Sequence, residues 1–318
     1  MPKHIYIYSP SGAVRDKAAF KRGVARLEKL GHQLEIDPAA LASSQRFAGD
    51  DETRLAAIHR AADSGADVAM MSRGGYGLTR ILPDIRYKKI AKAIQGGTHF
   101  VGISDFTAFQ LAVLAQTGDV TWAGPALCEG FGAGSGQLPD DIMEACFDDM
   151  LSGQGEGAGW KQHKEFTTKN RVLSADGERA DGQFGVENSV LWGGNLTVLA
   201  SLLGTPYFPS VKGGILFLED VAEHPYRIER TLTQLLHAGV LARQKAIMLG
   251  QFTDYQLNAH DRGFKLQTVI DWLRTKVRTP VLTNLPYGHV ATKILLPVGA
   301  KTDLVVQGRD VLLAWGHL

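Results

Sequence analysis

Cysteine is almost absent from this sequence. Cys128 and Cys146 are the two thiols among 318 residues, and they form no C-x-x-C pair. That excludes a disulfide framework and fits a reducing compartment. The ten histidines include no H-E-x-x-H, so a catalytic metal is not indicated and no cofactor is expected. No apolar run approaches the length of a membrane span. Neither sign of charge dominates: 34 Lys+Arg face 33 Asp+Glu, for a formal net charge of +1. Nothing therefore points to nucleic acid or an acidic membrane surface as a partner. There is no G-x-G-x-x-G and no G-x-x-x-x-G-K-[ST], which leaves nucleotide binding poorly supported. No repeat recurs at a fixed period. Met1-Pro2-Lys3-His4 leads straight into the strand-like Ile5–Tyr8 and not into a signal peptide. The expectation is a cytoplasmic globular protein, long enough for two domains.

What is present alternates between strand-like and helix-like segments. Ile5–Tyr8, Gln33–Ile36 and Val68–Met71 read as short strands. Between them, Asp16–Leu30 and Asp50–Ala62 have apolar residues at helical spacing and acidic residues at their starts. Such alternation argues for a mostly parallel, right-handed α/β sheet. The expected fold class is α/β: an N-terminal, mostly parallel sheet domain with flanking helices, plus a C-terminal mixed α/β domain. The clearest composition shift is Ser152–Gly159, with four glycines, which reads as a linker. The expected division is 1–151, a linker and crossing segment over 152–185, and 186–318.

The stretch Thr98–Ala115 organises the first half. Thr98–Ile103 suits a buried strand, and Phe106, Phe109, Val113 and Leu114 recur as on one helix face. Ser104 stands at the joint. A serine on a tight strand-to-helix turn, beside helix N-terminal N–H groups, suits an acyl-transfer nucleophile. The plainer alternative is that Ser104-Asp105 only caps the helix. Phe106 stands where a G-x-S-x-G elbow would have its second glycine. Upstream, Arg73-Gly74-Gly75-Tyr76-Gly77 follows a strand and lets backbone approach a ligand, or is simply a tight turn. In an open α/β sheet, ligands gather at the carboxyl ends of strands, where this loop and Ser104 would both lie.

In the second half, the apolar Ile215–Leu218 ends in Glu219-Asp220, and Gly288-His289 lies in a loop. A turn serine, a strand-end carboxylate and a loop histidine are the parts of a serine triad. Spacing alone does not show that they meet.

The motifs, taken together, resemble the bacterial LD-carboxypeptidases, in particular the cytoplasmic muramoyltetrapeptide carboxypeptidases of murein recycling. The matching stretches are Phe47–Asp50, Arg73–Gly77, Gly102–Ala108, Gly124-Pro125, Leu191–Leu196, Leu218–Asp220 with His224-Pro225, and Gly288-His289 before Leu296–Gly299. The resemblance implies a Ser-Glu-His triad on Ser104, Glu219 and His289, with Asp220 the alternative acid. It implies an oxyanion hole from the backbone N–H groups of Asp105 and Gly75, no metal, and a homodimer. The implied reaction releases terminal D-alanine from the murein tetrapeptide through an acyl-enzyme. Gly74, Trp192 and Asn195 are expected to border the substrate, although Trp192 also reads as core and Asn195 as a helix N-cap. Arg73 is a candidate for the substrate carboxylate or a loop anchor. Two other readings stay open: an immunity peptidase cleaving a peptide-nucleotide antibiotic, and a non-catalytic α/β protein that binds a small ligand.

Overall fold

The computed structural model describes residues 2–134, 136–163 and 184–318. Most of the segment expected to cross between domains lies outside the described residues. The elements run β1 (His4–Tyr8), α1 (Lys17–Lys29), β2 (Gln33–Ile36), α2 (Asp51–Asp63), β3 (Val68–Met71), α3 (Leu78–Ile81), α4 (Tyr87–Gln95), β4 (His99–Gly102), α5 (Phe106–Thr117), β5 (Thr121–Ala123) and α6 (Asp141–Ser152). Then come β6 (Gly157–Lys161), β7 (Phe184–Asn195), α7 (Leu196–Ser201), β8 (Ile215–Val221), α8 (Pro225–His237), β9 (Ala246–Thr253), α9 (Leu266–Lys276), β10 (Val281–Leu282), β11 (Leu296–Val298), β12 (Lys301–Gln307) and β13 (Asp310–Ala314). They form two compact units. One holds Met1–Gly155, Leu202–Pro209 and Ala291–Gly299; the other holds Glu156–Ser201, Ser210–Val290 and Ala300–Leu318.

The first unit is built on a six-stranded sheet in the order β11-β5-β4-β3-β1-β2. The pairs β1–β2, β1–β3, β3–β4 and β4–β5 are parallel, and β11 adds antiparallel to β5. Aspartates start its helices as their short acceptors allow: Asp16, Asp50 and Asp140 accept backbone N–H groups at the heads of α1, α2 and α6. Each such cap contributes about 1 kcal/mol. Strand order reverses at β1, which has β2 on one side and β3 on the other. In open α/β sheets ligands gather at such a reversal, at the carboxyl ends of the strands. One expectation needs correcting. α5 does not bury a single face: Phe106, Ala108, Phe109, Leu111, Ala112 and Val113 are all fully buried. A helix apolar all round belongs inside, and it fixes the turn before it.

The second unit has a seven-stranded sheet in the order β10-β9-β8-β7-β12-β13-β6. β7 to β10 are parallel, whereas β12, β13 and β6 extend the sheet antiparallel. This is the mixed α/β architecture expected for the C-terminal part. Two local readings change. Gly157–Lys161 is not linker but a strand paired with β13, since backbone hydrogen bonds need no side chain to form. β8 does not stop before the acidic pair but runs to Val221, with its register to β9 shifting between Leu218 and Asp220. Glu219 and Asp220 therefore stand within a strand, at a bulge.

The first unit makes a testable claim about pH. His99 in β4 accepts a hydrogen bond at Nδ1 from Trp122 Nε1, 3.2 Å away. Burial, and then Lys3, push its pKa below the usual histidine value. The folded state thus favours neutral imidazole. Stability is fully present above the unfolded value of about 6.5 and is lost as pH falls through the lower folded value. Urea unfolding at about pH 5 should lose roughly 1 kcal/mol more in the wild type than in His99→Gln, relative to about pH 7.5. Equal losses in both proteins would rule His99 out as a source of acid sensitivity.

Candidate active site

In the first unit, Ser104 joins β4 to α5 and is half-buried, at φ +65°. A non-glycine residue in this left-handed region costs about 1 kcal/mol or more. The buried strand before it and the buried helix after it hold it there. Behind Ser104 the helix begins with tight turns: Phe106 N donates to Ile103 O, and Thr107 N to Ser104 O at 2.9 Å.

Gly74 lies directly against Ser104. A Cβ at that position would stand 2.7 Å from Ser104 Cβ and 2.8 Å from its Oγ. Gly75 follows at φ +127°, a conformation that favours glycine. Gly12 N donates to Gly74 O at 3.2 Å, so the loop after β1 is laced to the loop after β3. Among the described residues neither the Gly75 N–H nor the Asp105 N–H has an acceptor. Both are available to an oxyanion.

The Asp105 side chain does not cap α5. Its carboxylate is buried and accepts from Ser11 Oγ at 2.6 Å and from Leu78 N at 3.0 Å. Burial pushes its pKa above the ordinary carboxylate value, and these hydrogen bonds oppose that rise. One carboxylate thus ties together the elbow, the loop after β1 and the glycine loop. Sequence reasoning missed Ser11; a serine beside Gly12 at the end of a first strand was the signal. Arg73 donates to Ala13 O at 3.2 Å and stands 3.8 Å from Glu129, which fits the loop-anchor alternative.

In the second unit, Glu219 is fully buried on β8. Its Oε2 lies 2.8 Å from His289 Nδ1. A carboxylate only accepts, so Nδ1 carries the proton and Nε2 is left basic. Gly288, at φ +140°, is what lets this loop close on the acid. A Cβ there would come within 3.3 Å of Glu219 Oε2 and 2.9 Å of Gln251 O. The same loop is tied to β9 where Gln251 N donates to Tyr287 O.

Asn195 links the two acids. Its Nδ2 donates to Glu219 Oε1 at 3.2 Å and to Asp220 Oδ1 at 2.9 Å, while its Oδ1 accepts from Val198 N. It is both the helix cap and a support for Glu219. Asp220 meets Thr197 N, Thr197 Oγ1 and Val221 N instead of the histidine. Burial raises its pKa as well. Trp192 is fully buried, and its indole donates to Gln244 Oε1 at 3.0 Å. Its expected place beside substrate is therefore corrected to the core. Trp192 points off β7 into the packing, where a large apolar ring is most stable.

The first unit thus holds a strained serine beside open N–H donors, and the second a histidine oriented by a buried carboxylate; each is a kind of part that acyl transfer uses. Comparison with known proteins shows the family. The LD-carboxypeptidase N-terminal domain matches residues 5–124, and the C-terminal domain of the same family matches 188–304. The chain is 31% identical over 294 residues to a probable murein peptide carboxypeptidase of Bacillus subtilis, covering 91% of this chain and 85% of that one. It is 25% identical to the microcin C7 self-immunity protein of Escherichia coli, covering 98% and 92%. The crystal structure of a muramoyltetrapeptide carboxypeptidase from Oxalobacter formigenes superposes with a TM-score of 0.82 at 35% identity, covering 98% of both chains. With both domains matched in order and nearly the whole length shared, this chain belongs to the LD-carboxypeptidase family.

Proposed function

We infer that this protein is a metal-independent serine carboxypeptidase that releases terminal D-alanine from the cytoplasmic murein tetrapeptide. The observation that supports this most is the His289–Glu219 pair at 2.8 Å, in a chain whose other unit has a strained serine at a strand-to-helix elbow. In this reading Ser104 Oγ attacks the carbonyl on the L-configured centre of the diamino acid. His289 Nε2 takes the proton and passes it to the leaving D-alanine amine. The N–H groups of Gly75 and Asp105 stabilise the oxyanion. Water, activated by the same histidine, then hydrolyses the acyl-enzyme. Glu219 keeps the imidazole in its reactive tautomer and stabilises the imidazolium.

The test is D-alanine release from purified murein tetrapeptide with a chelator present. Release by the wild type that the chelator leaves untouched supports the reading. No release would overturn it and favour the peptide-nucleotide amide instead, a possibility supported by the likeness to the immunity protein. The same reading makes the protein a homodimer, to be checked by light scattering.

The glycine loop adds a second test. Gly74→Ala should fold, since it needs no left-handed backbone, but its methyl must displace Ser104. A displacement of about 1 Å costs on the order of 100-fold in rate. Turnover near that of the wild type would mean that Ser104 is not held against Gly74 during the reaction.

A further inference from the structure

Arg73 is engaged with Ala13 and Glu129, so another cation must be sought for a substrate carboxylate. Arg54 and Arg80 are engaged too, both with Asp51. Arg46 differs. Among the described residues it has no carboxylate within ion-pair distance. Its surroundings are nonetheless rigid. It sits on a tight turn in which Ser44 and Phe47 exchange two backbone hydrogen bonds of 2.9 Å. A bridge from Gly12 to Phe47, and a bond from Ala13 N to Arg46 O, fasten that turn to the loop after β1.

The guanidinium carbon of Arg46 lies 5.6 Å from the centre of the Tyr76 ring. Tyr76 is 43% exposed and follows Gly75 directly. Its ring rests 5.9 Å from Phe47, which lies under Arg54 and Arg80 at 4.9 and 5.0 Å. Arg46 is also near enough to act electrostatically on buried Asp105. The result is a guanidinium placed on an aromatic platform, one residue from an oxyanion donor, with N–H donors to spare. Stacking of this kind limits what the side chain loses on binding an anion, and its planar fork matches a carboxylate.

We propose that Arg46, supported by Tyr76, receives a carboxylate of the substrate and sets the preference for acidic peptides. This rests on the hydrolytic reading above. The carboxylate belongs either to the leaving D-alanine or to the acyl side of the peptide, and the experiment separates the two. Hydrolysis by wild type and Arg46→Ala is compared with calorimetric binding of tetrapeptide to Ser104→Ala and to Ser104→Ala/Arg46→Ala. Losing Arg46 should raise KM and Kd roughly 10- to 100-fold and leave kcat within a few-fold. Arg46→Lys should restore part of the loss. Peptides amidated at the D-alanine carboxylate or on the acyl side are then assayed. On the peptide lacking the bound carboxylate, Arg46→Ala should add no further loss. Unchanged KM and Kd, or a further loss on both amidated peptides, overturns the proposal. If the wild type hydrolyses no tetrapeptide while binding still depends on Arg46, the hydrolytic reading fails and the Arg46 assignment stands. If Ser104→Ala binds no tetrapeptide, both fall.

Discussion

Ser104→Ala is expected to lower kcat for D-alanine release by about 10⁶-fold, with KM changed little. The size follows from how a triad works. Its members act as one unit, so losing the nucleophile forfeits the whole covalent route. In the proposed mechanism the oxyanion donors and substrate contacts remain, and so should the binding. The fold should also survive, because Ala and Ser put the same Cβ at φ +65°. A companion variant separates chemistry from strain. Ser104→Gly removes the Cβ and should exceed Ser104→Ala in unfolding free energy by about 1 kcal/mol, while being equally inactive. Initial rates and urea unfolding on the three proteins give both numbers. Turnover within tenfold of wild type in Ser104→Ala would remove Ser104 from the mechanism.

The strand-to-helix joint was legible because the patterns on both sides of it were strong, even though Phe106 breaks the G-x-S-x-G form. A short apolar strand, a polar joint and a helical apolar pattern met within the span Thr98–Ala115, and β4 and α5 occupy those places. Where signals were weak, the reading ran short. It names no element over 82–97, yet α4 fills Tyr87–Gln95 with Ile90 its one fully buried residue. A helix burying so little leaves a faint pattern. Glu219-Asp220 looked like a strand end because charges rarely lie inside strands. The bulge in β8 and the polar groups of Asn195 and Thr197 are what make both acids tolerable there. Such partners come from elsewhere in the chain, and local pattern cannot announce them. Asp105 shows the same limit: its position at the head of α5 suggested a cap, but Ser11 and Leu78 claim its carboxylate. Of the two readings open for Trp192, substrate border and core, its full burial and the Gln244 partner of its indole favour the core, and that partner too lies far along the chain.

Glu219→Gln is expected to lower kcat by about 10⁴-fold, the scale on which a triad loses its correct histidine tautomer. The buried acid faces two donors, His289 Nδ1 at 2.8 Å and Asn195 Nδ2 at 3.2 Å. As a carboxylate it accepts from both. A glutamine has one acceptor and one NH₂ group, so one donor must meet another donor. If the amide oxygen keeps Asn195, its NH₂ faces His289 and forces the proton onto Nε2, where it blocks the base. If it keeps His289, a buried Asn195 N–H loses its partner, and the negative charge that stabilises imidazolium is still gone. Either way the rate falls. Asp220→Asn should behave differently. Its acid serves Thr197, Val221 and Asn195, so the change should lower stability by about 1–3 kcal/mol and turnover by less than about tenfold. Rates and urea midpoints for the two variants, measured together, decide the assignment. Near-normal turnover in Glu219→Gln beside an inactive, well-folded Asp220→Asn would transfer the role of orienting acid to Asp220.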